Sequence, residues 1–190
     1  MTLSIFFFAS IAFSQDDEKI FELEKTKGHW TILGGYGVTH PGFAKTRSTV
    51  ETVDLMLSRG TFITKEIGSS WYKGRHEIIV EIPFHIVVHP ETTLMTGINL
   101  LGSWNATVSE KVVLYFLAGG GFIYTRLNVP ELGSKLNGNY QAGVGLHYFI
   151  AKNTSIDINY RYHHISNAGT ANPNDPLNSS KMLIGISFFK

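Results

Sequence analysis

Two residues define the chemistry open to this chain: His164 and Ser166, two positions apart in the stretch Tyr160 to Gly169. The alternation leading to them is strict. Ile156, Ile158, Tyr160 and Tyr162 share one face, and Asp157, Asn159, Arg161 and His163 share the other. A period of two is what a pleated strand produces. His164 and Ser166 continue the apolar face, ~6.6 Å apart along the strand. From there an imidazole nitrogen reaches the serine oxygen, the nucleophile–base arrangement of covalent catalysis. Deprotonation by His164 would make Ser166 reactive toward an ester carbonyl. Amides of the turn Asn167-Ala168-Gly169, and an amide side chain there, would hold the developing oxyanion. A bare histidine–serine pair in a strand is more often chance than a site, because it lacks the third group of a triad.

The elements that must hold this pair are strands. Apolar or alternating segments at 28–39, 49–65, 75–89, 93–106, 110–126, 138–150, 153–166 and 180–189 are separated by turn residues. Turns are expected at Pro41-Gly42, Ser69-Ser70, Pro90-Glu91, Asn105 to Ser109, Pro130 to Gly138 and Ala151-Lys152-Asn153. Eight meandering strands without an amphipathic helix predict an all-β, antiparallel up-and-down β-barrel. Its solvent follows from the two faces. Ile78, Val80, Ile82, Phe84, Ile86 and Val88 oppose Glu77, Glu81 and His85. Tyr140, Ala142, Val144, Leu146 and Tyr148 oppose Gln141, Gly143, Gly145 and His147, and Met182, Ile184, Ile186 and Phe188 oppose Gly185 and Ser187. Charged and amide residues interleaved with glycine fit the narrow polar interior of a small transmembrane barrel. Glu77, Glu81, Asp157 and Arg161 would pair inside it, with His163 packed beside them. Tyr36, Trp104, Tyr124, Tyr140, Tyr148 and Tyr162 would form interfacial girdles. The competing arrangement is a soluble lipid-binding barrel with these faces reversed.

Length and charge agree with one domain. At 190 residues and a formal charge of +1, nothing draws the chain to nucleic acid, and the absence of cysteine removes disulfides and thiolate metal sites. Leu3 to Phe13 is apolar but too short to span a membrane as a helix, and Ala12-Phe13-Ser14 supplies small residues before a cut ahead of Gln15. The n-region carries no Lys or Arg. The expected organisation is a signal peptide at 1–14, a polar lead-in at 15–27 and the barrel at 28–190.

The motif around the pair extends further. His164-Ile165-Ser166-Asn167-Ala168-Gly169, followed by Asn172-Pro173-Asn174-Asp175-Pro176-Leu177-Asn178, closely resembles the signature of the lipid A 3-O-deacylase family (PagL-like acyloxyacyl hydrolases). The lead-in Asp157 to His163 and the glycine-rich Ala118 to Phe122 are similar too. The ending Gly185 to Phe189 resembles the assembly signal of outer-membrane barrels, with Lys190 in place of a terminal aromatic.

The resemblance implies a serine-type carboxylic ester hydrolase of the bacterial cell outer membrane. It would remove the ester-linked acyl chain at position 3 of lipid A, with no cofactor and no metal. Its partners would be lipopolysaccharide and outer-membrane lipids, with a homodimer left open. Carried over by residue, Ser166 is the nucleophile and His164 the general base. Asn167 matches a position needed for activity, with Ala168 beside it in the turn, and Gly169 and Asn174 match the oxyanion-stabilising region. The third member is an acid in the best-known form, and Asn178 stands at its position. An Asn oxygen can orient an imidazole, as in Cys-His-Asn sites, without stabilising its charge. Asp175 is the alternative carboxylate. This departure leaves a second reading, a non-enzymatic structural barrel that keeps the motif as a relic. Tyr160, Tyr162 and Met182 would seat acyl chains, and Lys181 would either meet the glucosamine phosphates or stand as a solvated turn residue.

Overall fold

The computed structural model describes residues 21–190, so the expected signal peptide lies outside the described residues. Eight strands form one closed antiparallel barrel in chain order. They are β1 (Gly28–Thr39), β2 (Glu51–Phe62), β3 (Gly74–His89), β4 (Thr93–Ser109), β5 (Val112–Thr125), β6 (Leu136–Ala151), β7 (Thr154–Ser166) and β8 (Leu177–Phe189), with β8 closing on β1. The only helical pieces among the described residues are 3-10 turns at Leu23–Lys25 and Ser70–Tyr72. Most strand ends shift by one to three residues from expectation, the second strand stopping at Phe62 instead of 65, and two of the differences bear on the argument. Asn105 to Ser109 continues β4 instead of turning, because its residues still pair with Val112 to Tyr115 on β5. The eighth strand begins at Leu177, three residues early, where Leu177 and Asn178 pair with Ile165 and His164 on β7.

The faces divide as the alternation predicts. Outward residues are apolar and exposed, among them Leu100, Phe122 and Ile184 at 60, 63 and 60 %. Inward residues are buried and largely polar, with Glu81 at 0 %, and two small apolar clusters, Leu33 with Met56 and Leu183 and Ile79 with Leu101 and Leu117, lie among them. A soluble barrel with an apolar interior is therefore excluded, since this apolar belt is stable only against lipid.

The lumen is filled rather than open. One end is sealed by Val50, Val87, Met95, Ile123, Ile165 and Leu177, and the other by Phe21, Leu23, Phe62, Phe149 and Phe189. Between them charges are paired side chain by side chain. Arg161 Nη1 lies 2.8 Å from both oxygens of Glu81, His29 Nε2 lies 2.6 Å from Glu77, and His147 Nδ1 lies 2.8 Å from Asp157. Glycines make room for these pairs. A Cβ at Gly60 would fall 1.8 Å from a Glu77 oxygen. His163 is luminal, as expected.

Lys181 corrects an expectation. It does not face the membrane surface but points inward, with Nζ 2.9 Å from Asp54 Oδ2 and 3.2 Å from Thr52 Oγ1. Because β8 starts early, Lys181 falls inside the ladder opposite Arg161, on the luminal phase of Gly185 and Ser187. A luminal lysine needs a carboxylate partner, and Asp54 is that partner.

Candidate active site

His164 and Ser166 end β7 on its outer face, between β6 and β8. The register sets Tyr140 of β6 and Asn178 of β8 on either side of His164, and Gly138 opposite Ser166. Each neighbour has a different physical effect. Gly138 places no side chain beside the serine. The Tyr140 ring stacks on the imidazole, with centroids 4.2 Å apart and planes within 18°. Asn178 accepts from the ring, its Oδ1 lying 2.8 Å from His164 Nδ1. On the far side of the imidazole, Nε2 lies 3.1 Å from Ser166 Oγ. Ser166, His164 and Asn178 thus form one hydrogen-bonded line across two strands. Asp175 stands apart from it, ion-paired with Arg47.

Asn178 is fully buried although it lies on the outward phase of β8, because the loop 40–50 folds over it. Its carbonyl accepts from the His40 amide at 2.8 Å, and its own amides meet Thr46 Oγ1. The Tyr162 hydroxyl donates to Asn178 Oδ1 at 2.5 Å.

The loop after Ser166 is organised by one side chain. Asn167 Oδ1 accepts from the Gly169 amide at 3.0 Å, and Asn167 Nδ2 donates to the Pro173 carbonyl at 2.8 Å. The Asn167 amide donates to Asn174 Oδ1 at 2.9 Å. The side chains of Asn167 and Asn174 and the amides of Asn167 and Gly169 are therefore committed to shaping the turn. Ala168 adopts φ +55°, in the left-handed region, and no hydrogen bond claims its amide among the described residues.

Two residues that the sequence did not single out complete the arrangement, Thr46 and Glu131. Glu131 is fully buried between three loops. Its carboxylate accepts from the Arg47 and Ser48 amides at 2.7 and 2.6 Å and from the Ser48 hydroxyl at 2.8 Å. Its carbonyl accepts from the Asp175 amide at 3.1 Å. Burial raises the Glu131 carboxyl pKa, but the hydrogen bonds from Ser48 and Arg47 outweigh it and hold the group below the usual carboxylate range. Such a group binds fewer protons folded than unfolded. Its stabilisation is complete above ~4.3, the unfolded value, and disappears as pH falls through the folded one. Hydrogen exchange should therefore show the Arg47 and Ser48 amides protected at neutral pH and progressively released in acid below that value. Glu131→Gln should weaken their protection at neutral pH and flatten the pH dependence.

Among the described residues no three His, Asp or Glu side chains are grouped to hold a metal.

Comparison with known families decides the relationship. The family model described as lipid A 3-O-deacylase (PagL) matches residues 29–187, nearly the whole barrel. The chain belongs to the lipid A 3-O-deacylase family. Membership gives this deacylase-family barrel a lipid A 3-O-deacylase-like function in the bacterial outer membrane, with lipid A of lipopolysaccharide as its substrate class. Solved structures share its architecture. The outer membrane enzyme PagL is 18 % identical with a TM-score of 0.57, covering 84 % of this chain and 98 % of its own. Neisserial surface protein A (NspA) is 13 % identical with a TM-score of 0.64, covering 85 and 96 %. At these identities the likenesses show the fold. No curated protein matches the sequence of this deacylase-family barrel.

Proposed function

We propose that the chain hydrolyses the 3-O-linked acyl ester of lipid A with Ser166 as nucleophile, His164 as general base and Asn178 as the residue that orients the imidazole. The observation that carries this reading is the unbroken line from Ser166 Oγ through both ring nitrogens of His164 to Asn178 Oδ1. In the first step Ser166 Oγ bonds to the ester carbonyl carbon while its proton passes to His164 Nε2. The tetrahedral intermediate then expels the 3-hydroxyl of the sugar, which takes that proton. Water, deprotonated by the same nitrogen, hydrolyses the acyl-serine and releases the fatty acid. The Ala168 amide, two residues beyond the nucleophile, is the turn N–H left to stabilise the oxyanion.

Asn178 supplies orientation without charge. In a triad the acid both fixes the tautomer and stabilises the imidazolium. An accepting amide oxygen performs the first task alone, so the enzyme works with a less stabilised imidazolium than a carboxylate-containing relative.

Position supports the same reading. The end that carries Ser166 has connections at 40–50, 90–92, 126–135 and 167–176, three of the four long, whereas the other end has one long connection, 63–73, and two tight turns, 110–111 and 152–153. Longer loops face outward in barrels of this type, so the serine opens toward the external leaflet, where lipopolysaccharide resides. A site on the lipid-facing wall meets its substrate without extracting it from the membrane. Mass spectrometry of lipid A incubated with the detergent-solubilised barrel should show loss of one ester-linked hydroxyacyl chain. Unchanged lipid A from a folded barrel would reject the proposal.

A further inference from the structure

A carboxylate at position 178 would present an oxygen to His164 whichever way it faced, whereas an amide has two unlike ends. With Oδ1 toward the ring, His164 Nδ1 must carry the proton, and Nε2 is left bare to receive the one from Ser166. With Nδ2 toward the ring, Nδ1 must accept, the proton moves to Nε2, and Ser166 faces a donor instead of a base. The activity of a Ser-His-Asn line therefore depends on which way one amide is turned.

We propose that Thr46 is the positioning residue that fixes this choice, an inference that rests on His164 being the base. Thr46 comes from the loop 40–50 and is 1 % exposed. Its hydroxyl has one proton and two lone pairs. The proton goes to the Pro176 carbonyl at 2.9 Å, an oxygen that can only accept. The Asn178 backbone amide and Nδ2 approach the same Thr46 oxygen at 3.0 and 2.9 Å. The hydroxyl's hydrogen-bonding capacity is then full, and it has nothing to donate to Asn178. An Asn178 oxygen turned toward Thr46 would meet lone pairs in a buried site, and a polar group buried without a partner costs ~1–3 kcal/mol. Nδ2 therefore faces Thr46, and Oδ1 faces His164.

Tyr162 cannot make this selection, because a phenol accepts as readily as it donates and would satisfy either end of the amide. Pro176 can make it, since a carbonyl has no proton to offer. The donors consequently run in one direction: Ser166 to His164, His164 to Asn178, Asn178 to Thr46, and Thr46 to Pro176. The loop over the site thereby sets the proton position on the catalytic ring without touching it.

The test reads the tautomer directly. Nitrogen NMR of 15N-histidine-labelled protein in detergent should show His164 protonated at Nδ1 in the wild type, and a shift toward Nε2–H in Thr46→Val. Thr46→Ser, which keeps the hydroxyl, should restore the wild-type signal. On lipid A, Thr46→Val should lower kcat roughly 10²-fold with KM little changed, short of the ~10⁴ seen where a triad tautomer is wholly wrong. In an Asn178→Asp background the same change should cost less than about threefold, because a carboxylate needs no such orientation. Heat-modifiable gel mobility checks folding, and Thr46→Cys, a weak hydrogen-bonding group of similar size, replaces the valine variant if that fails to fold. An unchanged tautomer in Thr46→Val overturns the proposal, as does an equal kcat loss in both backgrounds. The spectrum requires no turnover. An inactive wild type whose tautomer still shifts with Thr46→Val rejects the esterase reading while upholding the orientation by Thr46.

Discussion

Ser166→Ala should lower lipid A deacylation by roughly four to six orders of magnitude, and His164→Ala should lower it as far. The reason lies in how the two groups share one step. Without Oγ there is no atom to form the acyl-enzyme, so His164 has no serine proton to take. Without the imidazole, Oγ keeps its proton and remains a weak nucleophile. The double variant should consequently be no slower than either single one. Independent contributions would instead multiply, and that result would mean the two residues do not act as a unit. Neither change should harm the barrel. Both side chains are half-buried on the outer wall, outside the luminal charge pairs and both apolar seals. Lipid A turnover by mass spectrometry, with heat-modifiable mobility as the folding check, decides the matter. A folded Ser166→Ala barrel that keeps activity within tenfold of the wild type would place the nucleophile elsewhere.

The residues that make this prediction possible were legible in the sequence for a simple reason. Phase along a strand is local information: once Ile156 to Tyr162 establish which face is apolar, the side of the barrel occupied by His164 and Ser166 follows from counting. The luminal carboxylates Glu77, Glu81 and Asp157 were legible in the same way, but their partners only in part. Glu81 with Arg161 was among the anticipated pairs, while His29 for Glu77 and His147 for Asp157 depend on the register between strands. Lys181 was misplaced by a boundary. Read as the first residue or two of a strand it belongs to a surface, but the ladder already runs from Leu177, and alternation with Gly185 and Ser187 carries it inward.

Thr46 and Glu131 were not legible at all. Thr46 reaches Asn178 across 132 residues of sequence, and Glu131 reaches Ser48 across 83. Both lie in loops without periodicity, and their neighbours are fixed only when the closed barrel brings three loops to one rim. A buried carboxylate at a loop position is visible after folding through the backbone amides it satisfies. The sequence carries no equivalent mark, because Glu131 sits between Pro130 and Leu132 like any polar turn residue.

Arg161→Met should destabilise the folded barrel by ~3–5 kcal/mol, the usual consequence of removing one partner of a buried ion pair. Arg161 binds both oxygens of Glu81 at 2.8 Å through Nη1, the same atom reaches Gln141 Oε1 at 3.1 Å, and Nε donates to Asn159 Oδ1 at 2.7 Å. Without it, Glu81 keeps only neutral donors at longer range: Asn99 at 3.2 Å, Ser58 at 3.3 Å and Gln141 at 3.4 Å. These cannot replace a full charge in a lumen sealed at both ends by apolar side chains. Removing both charges is a different case, because no unpaired ion remains. Arg161→Met combined with Glu81→Leu should recover most of the loss, as apolar replacement of a buried pair is often neutral. Urea titration of the vesicle-inserted barrel, followed by its gel mobility shift, measures both. If the single variant loses under about 1 kcal/mol, the value of an exposed pair, then the lumen is hydrated enough to solvate Glu81. Recovery in the double variant would instead show that the interior excludes water and that its charges are held in place by one another. Arg161 lies opposite Lys181 in the same β7–β8 ladder that sets His164 against Asn178, three residues further along β7, so the double variant also tests whether the site tolerates the loss of the charge pair beneath it.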